Sequence, residues 1–430
     1  MKYLIQGGRV IDPANQMDKN TDILIEDGKI AAIGKNLSAD GAEIIPAQGK
    51  VVTPGLIDMH VHLREPGQEA KEDFVSGTQA AAAGGYTTIA TMPNTNPTVD
   101  NAALVRNLQK RAAEAGVVHV KIIGALTKGQ QGKELAEVGD MTVAGAVAFS
   151  DDGHYVQNAK VMLNGFDYLR SFDKIIISHD EETSLVEEGA MNEGHRSAML
   201  GLKGRPTVAE DIAVGRDVML AEYAGARFHV AHISSARAVD IVRQAKKRGV
   251  RVTAEVTPHH LTMTDDCVNL MDSATKVNPP LRGEKDVLAL LEGLKDGTID
   301  AIVTDHSPHA EEEKDVEYGL APSGFPGLET ALGVLLTDLY HSGKLDLPLL
   351  ISKMTAEPAR VFGLEKAGAL TVGNPADVTV LDTEAEWTVD PGAFYTRGTH
   401  SPFAGRKLKG RAVLTMVDGR VVMQNGRIVE

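Results

Sequence analysis

The 430-residue sequence contains only one cysteine, Cys267. A single thiol cannot form a disulfide within the chain, and it excludes a zinc site built from several cysteine thiolates. Any metal ion in this protein must therefore be bound by histidine and carboxylate side chains.

Basic residues and long apolar segments are also scarce. Lysine and arginine number 44 against 59 acidic residues, and no basic cluster is long enough to follow a phosphate backbone, so nucleic acid is not an expected partner. No segment approaches the roughly 18 consecutive apolar residues of a membrane span, and the N-terminus MKYLIQGGRV lacks the apolar core of a signal peptide. We expect a soluble, cytoplasmic protein without a membrane partner.

The central part of the chain repeats one pattern: a short β-branched run, a polar loop, and a helical stretch rich in Ala, Leu, Glu and Lys. Strands that alternate with helices are typical of a parallel sheet, and eight of them predict an α/β fold with a closed (β/α)8 TIM-like barrel. An open, doubly wound sheet is the alternative. The spacing between the fifth and sixth runs leaves room for an inserted helix or lid. The eight runs cover residues 56–62, 86–92, 119–126, 145–150, 174–179, 228–233, 251–256 and 301–306.

The two ends of the chain contain short alternating strands separated by glycine turns, as in DILIEDGKIAAIG and VLTMVDGRVVMQNGRIV. Hairpins of this kind predict a small β-sandwich, and their similarity predicts one domain built from both chain termini. Two unrelated β-ribbons are the alternative. We therefore divide the chain into a composite β-sandwich domain, residues 1–53 and 365–430, and a barrel domain, residues 54–364.

In a barrel of this kind the active site lies at the carboxyl ends of the strands. The first run ends in His60 and His62, which point to the same face because side chains alternate along a strand. Two imidazoles do not complete a zinc site, and alone they are equally compatible with histidines that only hydrogen-bond within a core. Together with the polar residues that end the other runs, they supply the nitrogen and oxygen donors that two zinc ions need: Asp151-Asp152, His179, His232 and Asp305.

The carboxylates at these strand ends have different expected roles. One of Asp151 and Asp152 is expected to cap the following turn and the other to bind metal, and spacing alone leaves open which. Asp305 follows the run AIVT, where a buried carboxylate without a metal or a basic partner would be costly to desolvate. We therefore expect Asp305 to be functional.

Further motifs accompany these donors: PGLIDMHVHLREPG, TMPNT, FSDDG, TPHHL, VNPPLR and TDHSPH. Spread over residues 50–380, they resemble the cyclic amidohydrolases and, within that superfamily, the dihydroorotase family of the longer bacterial type. The resemblance implies a cyclic amide hydrolase that interconverts N-carbamoyl-L-aspartate and L-dihydroorotate plus water, the ring-closing step of pyrimidine biosynthesis.

The resemblance also implies a metal arrangement. His60 and His62 would hold one zinc, and His179 and His232 would hold the second. An aspartate similar to Asp152, with Asp151 as the fallback, would bridge the two ions, and Asp305 would touch the first zinc and shuttle protons. Many relatives bridge their metals with a carbamylated lysine, whereas GAVAFSDDG has none, and the shorter aspartate leaves the occupancy of both metal positions open.

The resemblance also implies which residues bind the substrate. The guanidinium of Arg64 would bind the α-carboxylate in a bidentate pair. Asn94 and His309 resemble the remaining carboxylate ligands, and Asn278 resembles the contact to the pyrimidine ring. Backbone groups near Ser323 and Gly324 would complete the pocket. Without the resemblance, Arg64 is compatible with a surface salt bridge, and the two asparagines with loop capping.

The sequence is compatible with more than one function, oligomeric state and metal. A hydantoinase or allantoinase would share the fold and a similar metal site. A non-catalytic dihydroorotase-like scaffold would lack metal ligands. The resemblance suggests a homodimer or a complex with aspartate transcarbamoylase, and manganese or cobalt accepts the same donors as zinc. The segment 309–323, with its acidic run AEEEKD, is hypothesised to close over the substrate.

Overall fold

The computed structural model describes residues 1–429, most of whose strands belong to a parallel barrel or to a second, mixed sheet. The strands are β1 (Lys2–Asp12), β2 (Met17–Glu26), β3 (Lys29–Gly34), β4 (Glu43–Pro46), β5 (Val51–Pro54), β6 (Leu56–Val61), β7 (Tyr86–Thr91), β8 (His119–Gly124), β9 (Ala148–Ser150), β10 (Ile175–Ser178), β11 (Met191–Asn192), β12 (Gly204–Arg205), β13 (Arg227–Val230), β14 (Val252–Val256), β15 (Ala301–Ile302), β16 (Val378–Thr388), β17 (Lys407–Val417), β18 (Arg420–Gln424) and β19 (Arg427–Ile428).

Helices follow most of the barrel strands, and their ends show why they form where they do. In the first helix, Asp73 caps the N-terminus by accepting a hydrogen bond from the Ser76 amide at 2.8 Å, and Gly85 ends it in the left-handed conformation with φ +94°. Within residues 1–429, no helix is both long and apolar enough to cross a membrane. The helices are α1 (Phe74–Gly84), α2 (Ala102–Ala115), α3 (Val138–Val143), α4 (Ala159–Arg170), α5 (Thr183–Val186), α6 (His195–Leu200), α7 (Val208–Ala224), α8 (Ala236–Lys247), α9 (Pro258–Thr262), α10 (Glu284–Lys295), α11 (Glu311–Lys314), α12 (Ala331–Leu335), α13 (Leu347–Met354) and α14 (Ala356–Phe362).

Eight parallel strands, β6 to β10 and β13 to β15, lie side by side in chain order. The ring closes where the segment after β15 returns to the first strand: Val61 forms a parallel bridge with His306, and the His62 amide donates to the His306 carbonyl at 2.8 Å. The predicted TIM-like barrel is confirmed, and the open doubly wound sheet is excluded. Between β10 and β13 the chain inserts α5, α6 and the two-stranded ribbon β11–β12, in the interval whose length predicted an insertion.

Two of the predicted runs form shorter strands than the sequence pattern indicates. β9 begins at Ala148 because Gly145, with φ +103°, ends a turn that follows α3. β15 ends at Ile302 because the chain then leaves the ladder: the Thr304 amide donates to the Asp58 carboxylate at 3.1 Å, and Asp305 adopts φ +50°. The polar ends of these runs are therefore loops at the mouth of the barrel.

Both chain ends contribute to one mixed sheet of nine strands, which confirms that the small domain predicted as a β-sandwich is built from the two termini. Its order is β19-β18-β17-β16-β5-β1-β2-β3, with β4 also beside β1. The two ends meet where β5 pairs antiparallel with β16, placing Val52 opposite Val380. The sheet buries its own apolar cluster, which includes Ile5, Val10, Ile23, Ile25, Val52, Val378, Val380 and Leu414.

Candidate metal centre and substrate pocket

Asp152 lies in the middle of a cluster of histidines at the carboxyl ends of the barrel strands. Its Oδ1 is 3.5 Å from Nε2 of His60, 3.4 Å from Nε2 of His232 and 3.9 Å from Nδ1 of His179. Its Oδ2 is 3.5 Å from Nε2 of His62. All five side chains are buried. One carboxylate therefore faces both of the histidine pairs singled out from the sequence.

Asp305 approaches the same cluster from the last strand. Its Oδ1 is 3.2 Å from Nε2 of His62 and 3.6 Å from Nε2 of His60. Two sets of three donor atoms each lie within 4.8 Å of one another: His60, His62 and Asp305 in one set, and His60, Asp152 and His232 in the other. The structure thus brings together all six residues predicted as metal ligands, with the nitrogen and oxygen donors that suit a divalent metal.

The neighbouring aspartates Asp151 and Asp152 point in different directions. Oδ1 of Asp151 accepts hydrogen bonds from the amides of Leu126 and Thr127 at 2.9 and 3.0 Å, and its Oδ2 accepts from the Thr127 hydroxyl. Asp151 therefore fixes the loop after β8, whereas Asp152 faces the histidines.

The rings of His60 and His62 are oriented by partners behind them. Nδ1 of His60 donates to Glu255 at 2.6 Å, and Nδ1 of His62 donates to the Asn94 carbonyl oxygen at 2.9 Å. A proton on Nδ1 leaves the Nε2 lone pair of each ring facing the centre, which is the tautomer that a metal ligand needs. Glu255 also accepts from His229 at 3.0 Å, so that histidine supports the centre from the second layer.

His179 and His232 form the other side of the cluster. Nδ1 of His179 lies 3.0 Å from Nε2 of His232, and Nε2 of His179 lies 3.0 Å from the amide nitrogen of Asn278. Asn278 therefore contacts a histidine of the centre, while its Oδ1 is buried and has no hydrogen-bond partner among residues 1–429.

The carboxylates of the centre are ionised. Burial opposes the charge of Asp305, but the adjacent His62 and His60 outweigh it and lower its pKa. Burial likewise opposes the charge of Asp152, whose pKa is nevertheless held well below its usual range by His60 and His232. Although burial disfavours a charged His60, Asp152 and Glu255 raise its pKa. The cluster therefore attracts positive charge.

Unpaired polar atoms at the cluster fit a bound metal. Nε2 of His60 and Oδ1 of Asp152 are buried, and within residues 1–429 they have no hydrogen-bond partner; Nδ1 of His232, on the far side of a ring whose Nε2 faces Asp152, is also unpaired. Buried polar groups are normally paired, because leaving one unsatisfied costs about 1–3 kcal/mol. Two of these atoms, on His60 and Asp152, face each other across the centre at 3.5 Å, where a shared cation would satisfy both.

Three residues here have backbone conformations that L-amino acids rarely adopt. The φ angles are +62° for Arg64, +28° for His232 and +50° for Asp305. Strain of this kind typically costs about 1–3 kcal/mol and persists where function requires a particular side-chain direction.

Arg64 lies beside the centre and is only 7% exposed. Its guanidinium donates to the Ser307 hydroxyl at 2.6 Å and to the Pro308 carbonyl at 3.2 Å. Burial lowers the pKa of Arg64 to about 10, so the side chain stays a cation at neutral pH. Because Arg64 is buried and its guanidinium bonds to Ser307 and Pro308, the surface salt bridge considered from the sequence is excluded.

The other predicted pocket residues lie on two loops that pack together. Nε2 of His309 donates to the Ser323 carbonyl at 2.9 Å. Gly324 has φ +114°, and a Cβ there would come within 2.6 Å of Ser307, so only glycine fits. Residues 307–309 and 323–324 therefore form one wall, which also holds Arg64.

Comparison with known proteins agrees with this geometry. Residues 49–238 match the family model described as Dihydro-orotase-like, and residues 324–423 match the Amidohydrolase family. The dihydroorotase of Pelotomaculum thermopropionicum is 53% identical over 425 residues, which is 99% of each chain. That of Syntrophotalea carbinolica is 52% identical over 421 residues, covering 98% of this chain and 99% of the relative. The chain belongs to the dihydroorotase family.

Solved structures of hydantoinases share the fold of this dihydroorotase family member. L-hydantoinase from Arthrobacter aurescens has a TM-score of 0.90 and 29% identity, covering 100% of this chain and 97% of its own. Dihydropyrimidinase from Brevibacillus agri has a TM-score of 0.88 and 23% identity, covering 100% of this chain and 96% of its own, which is a likeness of fold alone. The relatives named dihydroorotase are much closer in sequence than either.

Sequence reasoning missed Glu255. In this dihydroorotase family site its carboxylate links His60, which faces the centre, to His229 behind it. The signal was present, since Glu255 is a carboxylate inside the buried run RVTAEV, near the end of β14. A fully buried carboxylate requires partners, and two histidines supply them here. Asn94 and Asn278 were predicted as substrate contacts, whereas the structure also places each of them against a histidine of the centre.

Proposed function

We propose that this protein is a metal-dependent dihydroorotase that interconverts L-dihydroorotate plus water and N-carbamoyl-L-aspartate. The observation that carries the proposal is the convergence of four histidines and two ionised aspartates at the mouth of the barrel. Identity of 53% to a dihydroorotase across 99% of both chains supports the same reaction. A scaffold that has lost its metal ligands is disfavoured, because every predicted donor is present.

Two zinc ions fit the arrangement of donors. His60, His62 and Asp305 would hold one ion, His179 and His232 the other, and Asp152 would bridge them because its two oxygens face both pairs. Bound zinc would polarise the substrate carbonyl and favour deprotonation of water at neutral pH. The donor set also suits manganese or cobalt, so elemental analysis is needed to identify the metal.

Asp305 is the proposed acid and base. Its low pKa makes it an acceptor at neutral pH, and it lies against the cluster where the reacting carbonyl would be held. In ring opening, water attacks the carbonyl carbon and the bond from that carbon to the ring nitrogen breaks. Asp305 takes the proton from the water and delivers it to the departing nitrogen, and in ring closure the same transfers run backwards.

Recognition of the substrate is assigned to groups around the metal centre. Arg64 supplies a buried cation for the carboxylate, and its existing bonds to Ser307 and Pro308 hold the guanidinium in place. Asn94 and His309 are the proposed neighbours of that carboxylate. Asn278, whose buried Oδ1 has no hydrogen-bond partner among residues 1–429, is the proposed contact to a ring N–H, and backbone groups of Ser323 and Gly324 complete the pocket.

The second candidate is a hydantoinase, favoured by the likeness of fold to L-hydantoinase. Two observations weigh against it. Residues 145–153 contain no lysine. They therefore cannot supply the carbamylated lysine that the family resemblance leads us to expect as the metal bridge of a hydantoinase. The buried cation Arg64 also suits a substrate with a carboxylate, which dihydroorotate has and hydantoin lacks.

Initial rates with dihydroorotate, hydantoin and allantoin test the proposal. We expect dihydroorotate to be the best substrate and Arg64→Met to raise its KM by at least about tenfold, because a charge-assisted pair is lost. Residual activity on hydantoin should be unaffected by that substitution. Faster turnover of hydantoin or allantoin than of dihydroorotate by the wild type would refute the proposed substrate.

The family resemblance also leads us to propose a cytoplasmic homodimer that associates with aspartate transcarbamoylase. Light scattering of the protein alone, and after mixing with aspartate transcarbamoylase from the same organism, tests both associations. A monomer that does not shift on mixing would refute them without bearing on the reaction.

A further inference from the structure

The loop between β16 and β17, residues 389–406, belongs to the terminal sheet but packs against the mouth of the barrel. Its base is closed by hydrogen bonds from the Val389 amide to the Arg406 carbonyl and from the Gly405 amide to the Val389 carbonyl, both 2.9 Å. The chain between these points touches both loops that carry predicted substrate-binding residues.

The first contact is a buried network through Glu72. The Thr396 hydroxyl donates to Oε2 of Glu72, and Nε2 of His306 donates to the same oxygen at 3.1 Å. On its other side, Nδ1 of His306 accepts from the Gly327 amide at 3.2 Å. Glu72 and His306 are fully buried, and Thr396 is 5% exposed. Thr396 is therefore bonded, through one carboxylate, to the residue that follows Asp305.

The second contact is steric. Gly398 packs so closely on the next part of the barrel loop that a Cβ there would lie 2.9 Å from Pro308. Phe403 packs edge-on against Phe325, with ring centroids 5.9 Å apart, one residue beyond Gly324. The 389–406 loop thus supports both halves of the wall that holds Arg64 and His309.

The 389–406 loop is itself held firmly. Glu329 accepts hydrogen bonds from the amides of Tyr395 and Thr396 at 3.0 and 3.2 Å. Arg397 donates to the Asp73 carboxylate and to the Glu69 carbonyl. These bonds anchor it to the barrel on both sides of the network, so it can transmit a fixed position to residues 306–309.

We propose that the 389–406 loop positions the carboxylate-binding wall of the active site, and that Thr396 is a positioning residue acting through Glu72 and His306. Arg64 depends on this support because its two partners, Ser307 and Pro308, belong to the supported segment. Asp305 depends on it less, because its carboxylate lies 3.2 Å from Nε2 of His62, which is outside the supported segment. The inference rests on the proposed dihydroorotase function and adds a role for the terminal domain in substrate binding.

The test compares Thr396→Val, which removes the hydroxyl at nearly constant volume, with Thr396→Ser, which retains it. Thr337→Val is the matched control, because Thr337 also joins barrel to terminal sheet, bonding to the Lys409 amide at 2.8 Å. We expect Thr396→Val to raise KM about tenfold for both dihydroorotate and N-carbamoyl-L-aspartate, while kcat stays within about twofold. Thr396→Ser and Thr337→Val should keep wild-type KM, and the metal content of all variants should match the wild type.

The outcomes separate positioning from general stability. An unchanged KM in Thr396→Val, or a parallel loss of kcat and metal content in both Thr396→Val and Thr337→Val, would overturn the inference. Should Thr396→Val not fold, Phe403→Leu, which weakens the packing on Phe325, must show the same selective rise in KM. A wild type that is inactive on dihydroorotate would refute the proposed function, and an active wild type with an unaffected KM in these variants would refute only the role of the loop.

Discussion

At the scale of single residues, the metal centre depends on which way each polar side chain points. Asp151 and Asp152 are adjacent and both buried, but Asp151 is bonded to Leu126 and Thr127 while Asp152 faces the histidines. Asp151 therefore stabilises a loop, whereas the next residue, Asp152, places a negative charge beside the histidines.

Substitution of these two aspartates by asparagine separates their roles. Asp152→Asn is expected to lose bound metal because it removes the negative charge between the histidine pairs. Asp151→Asn should keep its metal, since an amide oxygen still accepts from the two amides, and should lose at most about 1–2 kcal/mol of stability. Elemental analysis and thermal melting of both variants check this. Metal loss in Asp151→Asn together with full metal content in Asp152→Asn would reverse the assignment.

Asp305 is predicted to contribute more to proton transfer than to metal binding. Asp305→Asn should retain most bound metal, because His60 and His62 remain, but lose at least about 100-fold in kcat in both directions, as expected when a general acid and base is removed. Steady-state rates with dihydroorotate and with N-carbamoyl-L-aspartate, on protein of measured metal content, provide the test. Near-normal turnover with metal bound would show that another group carries the proton.

The cluster of candidate metal donors could be predicted from sequence because strand alternation and strand ends are local properties. The choice between Asp151 and Asp152 could not, because it depends on how the loop after Ser150 turns toward residues 126–127. Glu255 was missed because its partner His60 is 195 residues away. Local sequence patterns do not predict a contact between residues that far apart.

At the scale of elements, the segment 309–323 carries a short helix, α11, whose last two residues bond to different parts of the protein. Glu313 pairs with Lys71 at 2.8 Å on the outside. Inside, the buried Lys314 ammonium donates to the carbonyls of Pro322 and Gly324 at 2.9 and 3.0 Å. The hypothesis that this segment closes over substrate therefore concerns a loop that already has a defined anchor.

Lys314→Met should release that anchor, because it leaves two carbonyls without their donor. We expect chymotrypsin to cleave near Tyr318 at least about tenfold faster than in the wild type, and dihydroorotate to slow cleavage in the wild type. Lys71→Met is the control, since a surface pair contributes only about 0–1 kcal/mol. Equal cleavage rates in Lys314→Met and wild type would contradict the anchor, and cleavage unaffected by dihydroorotate would contradict closure.

The strands were predictable because each is a β-branched run bounded by turn residues, and all eight barrel runs became strands or strand ends. Their exact ends were less so. The run 301–306 continues the apolar pattern, but the Asp58 carboxylate captures the Thr304 amide and ends the ladder early. The strand thus ends where it does because of Asp58, a side chain of the first barrel strand that is 246 residues away in sequence.

At the scale of the whole molecule, the terminal sheet contacts the barrel away from the metal centre as well. His119, at the start of β8, lies 3.2 Å from Asp377 and 3.7 Å from Asp418 of the terminal domain. The hydrogen bond to Asp377 raises the pKa of His119, outweighing burial and the nearby Lys121. A histidine whose folded-state pKa is raised stabilises the protein below the unfolded pKa of about 6.5, and the contribution fades as pH rises through the folded value.

His119→Gln should therefore melt below the wild type by a difference that depends on pH. We expect a gap on the order of 1 °C below pH 6, given the unfolding entropy of a chain this long, narrowing steadily at alkaline pH. Thermal melting of both proteins from pH 5.5 to 9 measures it. A gap that stays constant across this range would show that His119 contributes only packing.

The union of both termini in one sheet could be predicted from their similar hairpins, but its strand order could not. Parallel pairing of β1 with β4 and β5 inside an otherwise antiparallel sheet depends on packing over the shared apolar cluster. The support that the 389–406 loop gives to residues 306–309 could likewise not be predicted, because it runs through the hydrogen bond between Thr396 and Glu72, which are 324 residues apart in sequence.

The His/Asp cluster at the barrel mouth is proposed to hold the metal that ring opening of dihydroorotate requires. Metal content and dihydroorotate hydrolysis measured on the same sample, before chelation, after chelation and after zinc is restored, test it most directly. We predict one to two zinc ions per chain, loss of at least about 100-fold in activity on chelation, and recovery on re-addition. Full hydrolysis by protein shown to be metal-free would contradict the account.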